Sequence, residues 1–125
     1  MVKTLISIAI GLLLLFGAAI GEHIFVNDRF DTLTQSVETL QTKIREETAT
    51  RNDAEAVRAL WNSEKKKLHV VVPHNDISYI DYWLGETVGC IETKDYKDAL
   101  SKAEVLVTIC RQIPKTYSIS FENVF

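Results

Sequence analysis

The stretch LISIAIGLLLLFGAAI, Leu5 to Ile20, holds no charge and one hydroxyl side chain, Ser7. With Gly21 it makes 17 uncharged residues. A helix rises ~1.5 Å per residue, so this run is roughly 25 Å long, at the short end for a bilayer core. It therefore reads as an uncleaved transmembrane anchor, with a secretory signal peptide cleaved after Gly21 as the alternative. The length of the run favours the anchor, as does its continuation through Ile24-Phe25-Val26 past Glu22. Neither Cys90 nor Cys110 lies near it, which excludes a lipoprotein signal.

Working outward, Lys3 is the sole basic residue before the run, and Glu22, Asp28 and Arg29 come after it. The positive-inside rule then puts the N-terminus in the cytoplasm and the body, residues 22–125, outside the cell membrane in a single pass. The alternative localisation is secretion. Gly17 and Gly21 form one GxxxG pattern, a weak signal for helix pairing and hence for a homo-oligomer.

The body carries 13 basic and 17 acidic residues, a formal charge of −4. A mildly acidic surface argues against nucleic acid and against adhesion of the whole body to anionic lipid. Only two glycines and two prolines lie in it, too few turn residues for an all-β domain.

The apolar pattern is helical throughout. Phe30, Leu33, Val37, Leu40 and Ile44 repeat at 3-4-3-4 and fall within an arc of about 80°, predicting a helix over 29–48 capped by Asn27 or Asp28. The seam spans only two heptads, which fits one helix of a bundle better than a dimerising stalk. Residues 45–53 are polar and read as a turn or an exposed continuation, with Asn52 or Asp53 capping the second helix. Ala54, Val57, Leu60, Trp61, Leu68, Val71 and Val72 make a second stripe, closed by Pro73. Glu64 falls on that stripe, which predicts a bundle-rim carboxylate or a pair with one of Lys65, Lys66 and Lys67. Asp76 is the expected cap of a third helix with Ile77, Ile80, Leu84, Val88 and Ile91 on one face and Trp83 beside it. Gly85 and Gly89 fall opposite, marking a close backbone approach or a weak helix. A short link, Thr93 to Asp95, makes helices three and four antiparallel neighbours. Tyr96, Ala99, Leu100, Ala103, Leu106, Val107, Cys110 and Ile113 form the broadest apolar face, that of a central helix which Pro114 should end. The apolar tail, with Tyr117, Ile119 and Phe121 alternating, is expected to lie against the bundle. The fold class is all-α: an N-terminal transmembrane or signal helix (1–21) followed by an antiparallel four-helix bundle (22–125).

Chemistry is sparse. In a tight hairpin Cys90 lies beside residue 97 or 98, and Cys110 is then about 18 Å away, beyond the ~7 Å that a disulfide tolerates. His69 and His74, with Asp76 and Asp81 nearby, are candidate metal ligands, but the five-residue spacing of the histidines spans Pro73 and fits no zinc pattern. No phosphate loop, nucleophile elbow or Cys-His constellation is present. The sequence thus points to no enzyme, no catalytic residue, no metal and no cofactor. Trp61, Glu64, His69 and Trp83 are the candidate interaction or ligand site.

The apolar N-terminus, the stretch from Trp61 to Lys67-Leu68 ahead of His74 and Ile77, and the ending Phe121-Glu122-Asn123-Val124-Phe125 together resemble a known family. It is domain of unknown function 4363, an uncharacterised family of short membrane-anchored helical proteins of spore-forming Gram-positive bacteria. The resemblance implies membrane anchoring and, from neighbouring genes for small membrane proteins, a membrane protein partner. It brings no catalytic residues. The expected function is a non-enzymatic accessory or scaffold that binds a membrane protein through bundle or anchor. The alternative is a secreted helical domain binding a small ligand or envelope polymer.

Overall fold

The computed structural model describes residues 1–124, with side chains through Thr116. Four helices follow one another: α1 (Val2–Arg45), α2 (Arg51–Leu68), α3 (His74–Glu92) and α4 (Tyr96–Val124). Successive helices run antiparallel, with α4 packed against both α1 and α3, and α2 against the other side of the same two. The core is continuous. It takes in the whole α1 seam, Ala54, Val57, Trp61 and Leu68 of α2, the five-residue face of α3, and the α4 face from Ala99 to Ile113. Ala99 and Ala103 are fully buried, and their small side chains let neighbouring helices come close to α4.

Several expectations about helix ends need correction. The expected boundary at Asn27 or Asp28 does not exist, because α1 is one 44-residue helix, about 66 Å long. No proline interrupts 21–29, and polar residues inside a helix cost well under 1 kcal/mol each. Val26, buried one turn before Phe30, extends the seam upstream and outweighs that cost. The cap of α3 is Pro73, with Asp76 inside the first turn instead of capping it. Pro73 is extended (φ −56°, ψ 144°), and its carbonyl accepts the Asp76 and Ile77 amides. Pro114 does not end α4; it sits buried inside a helix that continues to Val124. Proline removes one backbone bond, to the Cys110 carbonyl, a cost of ~3 kcal/mol that the packing of this apolar turn offsets. The expected docking of the tail side chains lies outside the described residues.

The polar segment after α1 is a turn. The cap of α2 is Thr50, not Asn52 or Asp53. Asp53 donates its amide to Thr50 Oγ1 (3.3 Å) and accepts the Thr50 amide on Oδ2 (2.9 Å), a reciprocal capping box. Lys43 Nζ lies 2.8 Å from Asp53 Oδ1 and ties α1 to this cap. The lysine bond, followed by the Thr50 amide, holds the Asp53 carboxyl below its usual range. A depressed folded-state value contributes stability above the unfolded pKa of about 4, and this contribution is lost as pH falls through the folded value. Asp53→Asn should therefore flatten the acid limb of stability below pH ~4 while leaving its shape near neutrality unchanged, as measured by thermal melts across pH. At α4, Asp95 accepts the Asp98 amide at 3.2 Å, which selects it over Thr93 as cap.

Helices α1 and α3 end in the same way. Thr48 donates to the Lys43 carbonyl (2.9 Å) and Glu47 to Ile44 (3.0 Å); Asp95 donates to Cys90 (2.9 Å) and Lys94 to Ile91 (3.0 Å). These are Schellman turns, whose pivot normally goes to glycine. Here the pivots are Glu47 and Lys94, both at φ 59°. The left-handed conformation costs a residue with a Cβ about 1–2 kcal/mol. Part of the gain on substitution is offset by the greater freedom of glycine in the unfolded chain. Glu47→Gly and Lys94→Gly should each stabilise the bundle by about 0.5–1 kcal/mol, additively because the two turns share no bond. Denaturant midpoints of the singles and the double check this.

Candidate functional site

The four candidate residues do not converge. Trp61 and Glu64 lie three residues apart on the buried face of α2. His69 is exposed in the α2–α3 turn, its ring edge-on to His74 at 6.3 Å. Trp83 is half-buried on α3 and faces α4, where Lys102 Nζ stands 5.3 Å from its ring centre. With Tyr79, Ile109 and Gln112, Trp83 lines an open groove of about 340 Å³.

What the fold does assemble is a polar seam between α1, α2 and α3. The Trp61 indole N–H donates to Asp81 Oδ1 at 2.6 Å, and Lys65 Nζ reaches the two oxygens of the same carboxylate at 3.2 and 3.0 Å. One turn along, Glu64 is 5% exposed. Its Oε1 lies 3.5 Å from Arg29 of α1 and 3.9 Å from Lys67. The pairing with a local lysine was legible; the nearer partner, Arg29, was not. Arg29 also lies over the Phe25 ring, 5.5 Å from its centre. Arg29 Nε and Glu64 Oε2 are buried without a hydrogen-bond partner. A buried carboxylate so placed is held by charge more than by a complete set of hydrogen bonds.

Site reasoning missed Arg29, and weighed Asp81 only as a metal ligand beside the two histidines. Asp81 lies on α3, and its role depends on which α2 residue faces it. Arg29 is 35 positions from Glu64, and no local spacing connects the two. The described residues include no group of three or more His, Cys, Asp or Glu side chains placed to hold a metal. Cys90 and Cys110 are both free thiols. Burial pushes Cys110 up to about 12, and burial followed by the charges of Asp98 and Asp95 raises Cys90. Neither offers a thiolate nucleophile near neutral pH. An added Cβ at Gly85 or Gly89 would meet nothing within 4 Å, so no backbone of this chain comes close there and the glycines simply weaken α3.

Fold and seam thus define an all-α antiparallel bundle, held by packing and ion pairs, whose first helix is long and apolar enough at its N-terminal end to cross a membrane. The sequence model of one family, described as a domain of unknown function (DUF4363), matches residues 23–124, and the chain belongs to that family. No curated protein and no solved structure matches it.

Proposed function

We propose that this chain is a single-pass, membrane-anchored accessory or scaffold protein without enzymatic activity. Its N-terminus lies in the cytoplasm, its bundle lies outside, and it binds a membrane protein partner. One observation carries the reading. The most apolar 18-residue window of α1 has none of its residues buried in the bundle, yet it continues directly into the helix that carries the bundle's seam. Leu12, Leu13, Leu14 and Leu15 are all more than half exposed, an arrangement that water disfavours and a bilayer satisfies. Because no link separates anchor from bundle, tilt or rotation of the span is passed on to the bundle as a rigid lever. That suits a subunit that positions itself against a membrane neighbour.

The test is a mild-detergent pull-down of the C-terminally tagged protein from its own host, with the intact mass of the bait recorded. A bait that retains its N-terminus and brings down a stoichiometric membrane protein supports the proposal. A bait beginning at Glu22 and recovered only from the medium overturns it and moves the protein to the secreted class.

A further inference from the structure

The α2–α3 turn sits at the end of the bundle from which the apolar part of α1 emerges. Arg29 lies nine residues past Ile20, about 13 Å along the helix axis. Glu64 meets it there. From Glu64, α2 runs back toward the apolar segment for four more residues to Leu68, and the turn comes next. Val70 at the tip is then about 5 Å above the level of Ile20. The headgroup layer of one leaflet is roughly 5–7 Å thick, so the tip falls within it once α1 spans. The apolar run is also shorter than a ~30 Å core, a mismatch that draws the bundle toward the bilayer.

The residues at this level match that environment. Val70 is 87% exposed, the most exposed large apolar side chain of the described bundle, while its neighbours Val71 and Val72 are half-buried and buried. Ile24, at the same height on α1, is 61% exposed. Just above the turn, Lys65, Lys66 and Lys67 fill the last turn of α2, a basic run in an otherwise acidic body. All three serve the helix dipole; Lys65 is held by Asp81 and Lys67 leans to Glu64, which leaves Lys66, exposed about 10 Å above the level of Ile20 on a stem long enough to reach down to the phosphates.

We infer that the α2–α3 turn is a second membrane contact, with Val70 seated among the headgroups and Lys66 reaching down to the lipid phosphates, so that the bundle is held down on the bilayer. The inference rests on the anchor proposed above. It takes the bilayer as occupant because the turn is continuous with the end of the span and the charge of Lys66 just above it complements anionic lipid. The contact is local, and the mean charge of the body, which disfavours wholesale adhesion, does not bear on it.

The experiment places an environment-sensitive fluorophore on the full-length chain, reconstituted in phosphatidylethanolamine–phosphatidylglycerol vesicles. A Cys90→Ser background is used, since buried Cys110 does not label. Val70→Cys, Leu13→Cys and, at the far end of the bundle, Lys94→Cys are compared by emission and by quenching with lipids brominated high or low on the acyl chain. The expected result is a blue-shifted Val70 probe quenched by shallow bromines, a Leu13 probe quenched by deep ones, and a Lys94 probe in water. A deep Leu13 probe with an aqueous Val70 probe overturns the second contact and leaves the anchor standing. A blue-shifted Val70 probe that lipid bromines do not quench assigns the turn to a protein and also overturns it. An aqueous Leu13 probe sinks both anchor and contact.

Discussion

Trp61→Ala should destabilise the bundle by about 3–5 kcal/mol, the largest single effect expected in this chain. Trp61 is 1% exposed and leads the fully buried side chains by volume. Its loss opens a cavity between α2 and α3 and removes the 2.6 Å bond from the indole to Asp81. The aspartate is not stranded, because Lys65 still holds both of its oxygens, so the loss comes mainly from packing. In a domain of about a hundred residues each kcal/mol moves the melting temperature by about 4–8 °C, and the variant should melt well over 10 °C below the parent. Trp61→Phe separates the terms. It keeps most of the volume and forfeits the charged hydrogen bond, for an expected loss of about 1.5–3 kcal/mol. Thermal melts of the full chain in detergent read both. A Trp61→Ala loss under about 1 kcal/mol would mean that α2 is not docked through this indole.

Arg29→Met should cost about 2–4 kcal/mol, because it leaves the Glu64 carboxylate buried with only Lys67, at 3.9 Å, to answer it. The lower part of that range is favoured by the exposure of Arg29, about a third of its side chain, which brings solvent screening to the pair. Glu64→Met should cost less, since the freed guanidinium can turn to water while the carboxylate cannot. The double variant should return to within about 1 kcal/mol of the parent, since two buried polar atoms of the pair already lack partners and apolar packing replaces them at little loss. A double-mutant cycle in urea gives the coupling directly. Simple additivity of the two single losses would show that the pair is a proximity without energetic meaning.

The candidate site was half legible. Helical periodicity put Trp61 and Glu64 on one face, and both are buried there because that face meets α1 and α3. The same periodicity put Trp83 beside the α3 stripe, but it could not say that the flank opens toward α4 and away from Trp61. His69 was grouped with Trp61 and Glu64 because it follows them closely in sequence, but it lies exposed at the turn while they are buried, and nearness along the chain is not convergence in space.

The sequence by itself determined the helical class, the four apolar faces and the order of helices. Seam residues such as Phe30, Ile80 and Leu106 are all buried as their spacing required, because a 3.6-residue period leaves an amphipathic helix one way to leave water. Tertiary structure alone decided where helices begin and end and which charges meet. Burial of Val26 carried α1 through Asn27 and Asp28, and packing carried α4 through Pro114. Arg29 found Glu64 only once α1 and α2 lay side by side. Caps and breakers are worth a few kcal/mol at most and act locally, whereas core burial adds up over residues distant in the chain, so where the two conflict the core prevails.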